Sequence, residues 1–158
     1  MKYVVNILLL GTMIGYIMWS WGQNQVDPVI NDTRVEAIVE DWKNDMRSIG
    51  INGDEMIRYL DQITIVDQIP EGPLDQIDPN QVGKSDTGNR AIWILNREYS
   101  HAYLKALVYH EIGHYLFDLH HKGTGLIMSS HIVEEPGYYE SNWNSILPIY
   151  LEKCKSAR

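Results

Sequence analysis

Apolar residues recur at helical spacing early in the chain: Val35, Ile38, Val39, Trp42, Met46 and Ile49. Thr33-Arg34-Val35-Glu36 has the form of a capping box and Gly50 closes the run, so the pattern predicts a core-facing helix over residues 33–48. Residues 54–60 predict a second, short helix. Ile63-Thr64-Ile65-Val66 is rich in β-branched residues, and Ala91-Ile92-Trp93-Ile94-Leu95 is a continuous apolar run; both predict strands. Between them, residues 67–90 carry Pro70, Gly72, Pro73, Pro79, Gly83 and Gly88 and predict a long loop. A further helix is predicted from Ser100 to about Tyr115. Leu104, Val108, Ile112, Tyr115 and Leu119 form its core stripe, and Tyr103, Leu107, His110 and His114 lie on roughly the opposite side. Residues 129–137 predict a loop, and residues 138–153 a last helix interrupted by Pro148. The fold class expected is α+β: a small domain with a twisted sheet, a central helix and a C-terminal helix.

The amino-terminal pattern differs. Residues 3–21 are apolar apart from Asn6, Thr12 and Ser20, and Lys2 precedes them. Nineteen residues of helix span about 28 Å, close to the thickness of a bilayer core. Trp19 and Trp21 suit a membrane interface. The stretch reads equally as an uncleaved anchor and as a signal peptide cut after Gly22, where Ser20 and Gly22 supply small residues. Either way Lys2 stays inside and the remainder is expected outside the cytoplasm. The chain thus divides into residues 1–22, a polar linker over 23–32, and a domain over 33–158.

Composition adds exclusions. A net charge of −8 argues against a nucleic-acid partner. Six acids crowd residues 61–86 against Lys84 alone, which reads as a solvated acidic loop. Cys154 is the single cysteine, which excludes an intrachain disulfide and a cysteine-based metal cluster. Gly83-Lys84-Ser85 has the form of the end of a phosphate-binding loop, but the first glycine position falls on Asp78, which excludes that reading.

The chemistry lies in His110-Glu111-Ile112-Gly113-His114. Histidines four apart share one helix face, about 6 Å apart at Cβ, so two imidazoles can converge on one Zn²⁺. Glu111 points to a neighbouring direction, suited to touching water beside the metal without binding the metal. His120 is the expected third ligand. On an unbroken helix it would sit roughly 9 Å beyond His114, so the chain must turn first.

His110, Glu111, His114 and His120 fit the pattern HExxHxxGxxH, and Gly125-Leu126-Ile127-Met128-Ser129 looks like the methionine turn that follows it. Over residues 90–130 the chain therefore resembles the metzincin zinc proteases, and the short spacing to Met128 resembles the matrixin branch. One departure stands out. The pattern's glycine falls on Phe117, for which a left-handed backbone is strained; Asp118 tolerates it better, so the turn is open to a shift of one residue.

The resemblance implies a zincin-like fold and a zinc-dependent endopeptidase acting on a protein or peptide substrate. It makes Glu111 the general base toward a metal-activated water, and Met128 an apolar floor beneath the histidines. It also implies that substrate pairs with an edge strand. By position that strand is residues 91–95, with Trp93 and Ile94 as substrate-binding candidates; a place in the sheet core is the equal alternative. Three other readings stand beside this one. Glu134 serves as third ligand in a thermolysin-like site, although Pro136 breaks the helix that site needs. The spacing HxxxHxxxxxH resembles YbeY-like endoribonucleases, which lack Glu111. A membrane-attached binding protein with a non-catalytic zinc site is the last. His121 and His131 are the remaining nearby imidazoles; an extended segment would turn His121 to the side opposite His120.

Overall fold

A computed structural model describes residues 26–71, 81–123, 125–130, 133 and 135–158. The membrane-anchor or signal segment, His131 and Glu134 lie outside the described residues. Among the described residues the architecture is α+β, with four strands in one sheet and four helices: β1 (Val29–Ile30), α1 (Thr33–Ser48), α2 (Gly53–Ile57), β2 (Gln62–Val66), β3 (Gly83–Asp86), β4 (Ala91–Leu95), α3 (His101–Phe117) and α4 (Tyr138–Ser156). No helix among the described residues is long and apolar enough to cross a membrane.

The first helix matches its predicted span, but its cap is one residue earlier. Asp32 rather than Thr33 accepts from a first-turn amide, that of Arg34 at 2.8 Å. The Arg34 guanidinium, 2.8 Å away, holds the Asp32 carboxyl below its usual range. Val35, Ile38, Val39, Trp42 and Met46 face the core as their spacing requires. Lys43 is buried among them; its ammonium reaches Glu40 at 2.7 Å and Asp54 at 3.8 Å.

The sheet order is β1-β2-β4-β3. β1 lies within the expected linker and pairs in parallel with β2. Asn31 lengthens that edge: its amide donates to Ile65 O at 3.0 Å and accepts from Ile65 N at 2.9 Å. β2 and β4 are parallel, and β3 runs antiparallel to β4. The hairpin turn between β3 and β4 is closed by Asp86, which accepts from Asn89 N at 2.9 Å. Arg90 completes it with φ of 51°. The expected long loop therefore ends in a strand. β4 has neighbours on both sides, so it is sheet core and not an edge. Trp93 is 7% exposed and Ile94 is 0% exposed, which removes both as strand-pairing substrate contacts.

Helix α3 packs against β3 and β4, α1 and α4. Its buried residues include Leu104, Ala106, Leu107, Val108, Tyr109, His110, Glu111, Ile112 and Gly113, so burial extends well beyond one stripe. Ser100 caps the start by accepting from Tyr103 N. Helix α4 runs through Pro148 without a break, because Tyr139, Ile146, Tyr150 and Cys154 pack inward while Pro148 stays on the solvent side. Tertiary burial offsets the cost of the proline here.

Tyr150 ties the helices together. Its hydroxyl accepts from the Trp42 indole N–H at 3.2 Å and donates to Tyr109 O at 2.9 Å. Tyr150→Phe should leave the buried Trp42 N–H without an acceptor and cost about 1–3 kcal/mol, read as a lower urea midpoint at unchanged slope. An unchanged midpoint would contradict this account.

Candidate metal centre

Three imidazoles meet at the carboxyl end of α3. His110, His114 and His121 lie close enough to hold one metal ion. Their Nε2 atoms are separated by 3.0 Å (110 to 114), 2.9 Å (114 to 121) and 3.2 Å (110 to 121). Burial is graded: His110 is buried, His114 half-buried and His121 exposed, so the group opens to solvent on one side.

The third histidine is His121, not His120, which is exposed and outside the group. The reason is where the helix stops. α3 includes Phe117, and the left-handed residue is Asp118, with φ of 50° and ψ of 35°. Its N–H and that of Leu119 both return to Gly113 O. The pattern puts the third ligand three residues after the turn. With the turn on Asp118, three residues on is His121. Adjacent side chains on extended backbone point to opposite sides, so bringing His121 in turns His120 out.

The turn over residues 126–129 supports the same geometry. Ser129 N donates to Leu126 O at 3.1 Å, and the Ser129 hydroxyl accepts from Leu126 N at 2.8 Å and donates to Leu126 O at 2.7 Å. Lys122 N donates to Met128 O at 2.8 Å, which joins the segment carrying His121 to the turn. Met128 is buried against α3, where Gly113 makes room for it. A Cβ added at Gly113 would lie 2.8 Å from the Met128 sulfur and 3.1 Å from the Tyr150 ring.

Hydrogen bonds fix the tautomers. His110 Nδ1 lies 2.7 Å from Ile127 O, and His114 Nδ1 contacts Leu119 O. A carbonyl oxygen only accepts, so each Nδ1 carries the proton and each Nε2 presents a lone pair. The 3.0 Å contact between those two Nε2 atoms is then no hydrogen bond. Burial pushes His110 down to about 4, and burial, followed by His121, also lowers His114, so both rings are neutral at pH 7. Neutral imidazoles with converging lone pairs are the form a metal takes. Tetrahedral ligation at the usual Zn–N length separates nitrogens by about 3.3 Å, close to the spacing present.

Glu111 is 5% exposed and lies beside His110 on the next helical position. Burial raises its carboxyl to about 8, against the opposing effect of a backbone hydrogen bond from Ser85. A cleft of about 540 Å³ runs over the site. β3 and the residues just before it form one wall, α3 supplies His110, Glu111 and His114, and Asp118, His121, Ser129 and Ser130 border the rest. The strand along this cleft is therefore β3, and among the described residues it is a sheet edge. The prolines and glycines of residues 67–90 predict a loop there, and the signal that marks the strand is the turn chemistry of Asp86-Thr87-Gly88-Asn89 directly before β4.

No family model, curated protein or solved structure matches this chain.

Proposed function

We propose that this chain is a zinc-dependent endopeptidase, exported by its amino-terminal segment and acting on protein or peptide substrates. The observation that carries the reading is the meeting of three Nε2 atoms with a buried carboxylate beside them in an open cleft. His110, His114 and His121 would hold the ion. Bound there, zinc supplies a Lewis acid that polarises a peptide carbonyl and makes a nearby water more acidic. The charge of an ion bound there would favour the ionised form of Glu111, which accepts the proton of the attacking water and returns it to the amine that leaves. The outer edge of β3, unpaired with another strand among the described residues, offers main-chain groups to an extended peptide, the role that the resemblance implies for residues 91–95. His121 supplies a third ligand without recourse to Glu134. The endoribonuclease reading depends on the spacing to His120, which lies outside the triad.

The purified full chain should contain about one zinc per molecule. Hydrolysis of casein or a peptide library should stop on chelation and return with added Zn²⁺. Full hydrolysis by zinc-free protein would refute the proposal; stoichiometric zinc without any hydrolysis would leave a binding protein in its place.

A further inference from the structure

Two contacts outside the triad bear on Glu111. The Ser85 N–H donates to its carboxylate. Two residues earlier on the same strand, Gly83 has no side chain, and a Cβ there would lie 2.5 Å from Glu111 Oε1 and 2.9 Å from Leu107 Cδ1. The ladder explains why this amide is available. Leu95 N donates to Val82 O at 2.9 Å, so Val82 and Leu95 form a hydrogen-bonded pair. Antiparallel pairs alternate, which leaves the peptide groups of Gly83 and Ser85 facing away from β4, on the free edge. Glu111 therefore occupies a donor that the sheet does not use.

We propose that β3 positions the general base: the Ser85 N–H and the bare Cα of Gly83 together hold the Glu111 carboxylate in one orientation against the cleft. This rests on the peptidase reading above. A glutamate has three rotatable side-chain bonds, and its neighbours on α3 do not by themselves select one setting. A hydrogen bond from a fixed backbone group selects it, and a strand glycine lets that backbone come close enough. Ser85 and Gly83 are positioning residues, since neither needs to touch substrate to act. The arrangement also makes the edge strand serve two tasks, lining the cleft and orienting the group that handles the proton.

The test uses the zinc-loaded full chain. Ser85→Pro removes only the edge-facing N–H, a change that an edge strand accommodates without losing a ladder bond. Gly83→Ala inserts a methyl where the carboxylate sits. Each should lower kcat by about tenfold or more, as misplacement of a catalytic group does, with KM and zinc content little changed. A kcat within about twofold of wild type in both would overturn the proposal. An independent readout is hydrogen exchange at the Ser85 amide, which should speed up on the order of tenfold in Glu111→Ala as its acceptor is lost. Unchanged exchange there also overturns it, even where Ser85→Pro does not fold. Wild-type protein that cleaves no peptide would defeat the peptidase reading, while the exchange result would still decide whether β3 holds Glu111.

Discussion

His121→Ala should weaken zinc binding by more than about 100-fold, beyond the range of outer-shell effects, whereas His120→Ala should leave it within about tenfold. The two residues are neighbours of the same type, so the pair controls for charge and local composition. The argument is the position of the left-handed residue: Asp118 ends α3, and His121 comes three residues later with its Nε2 2.9 Å from that of His114. Calorimetric titration of each variant with Zn²⁺ decides it. Strong binding retained in His121→Ala and lost in His120→Ala would mean that the helix ends one residue earlier than described. Because an ion held by the triad would join α3 to the segment after it, added zinc should raise the thermal midpoint of the wild type, and His121→Ala should abolish that rise.

Glu111→Gln is expected to reduce turnover by about 10²–10⁴-fold with zinc content unchanged, the scale of losing a general base. It should also change how stability depends on pH in the metal-free protein. The Glu111 carboxyl is raised to about 8 from an ordinary 4.5. A raised group contributes stability that is fully present below about 4.5 and is lost as pH rises through about 8. Between pH 7 and 9 the wild type should lose roughly 1 kcal/mol from this group alone, and the glutamine variant none of it. The opposite sign applies to His110, depressed to about 4: its contribution is lost as pH falls from 6.5 through 4, outside that window. Denaturant midpoints at pH 7 and 9 for both proteins give the difference directly. Parallel pH dependence in the two would show that Glu111 is not held in its protonated form by burial.

What could be read from the chain depended on whether position followed from a local period. Val35 to Met46 mark α1 because one face of a helix repeats every three or four residues, and the observed span agrees with that reading. His110 and His114 share a face for the same reason. His121 depends instead on where α3 ends, and that choice between Phe117 and Asp118 rests on a difference in backbone strain at adjacent residues. The preference of Asp for the left-handed conformation was the legible clue; moving the third ligand along with the turn was the step that had to follow from it. β3 was hidden more deeply. Gly83-Lys84-Ser85-Asp86 has no large apolar residue, so no hydrophobic period marks it; the turn residues after it are its one signal, and pairing with β4 makes it a strand. Pro148 misled in the other direction, since a local rule against proline gave way to the packing of Ile146 and Tyr150 on either side.

The two inner imidazoles are oriented by Ile127 O and Leu119 O, which are peptide carbonyls. A carbonyl of the main chain survives every side-chain replacement. Drift at positions 119 and 127 can therefore proceed without deleting either acceptor, provided the chain keeps its path. The vulnerable changes are those that alter path length: one residue gained or lost between His114 and Leu119 would carry both carbonyls, and His121 with them, out of register, and one between His121 and Ile127 would displace Ile127 O. Variation in length within that interval should be selected against far more strongly than variation in residue identity.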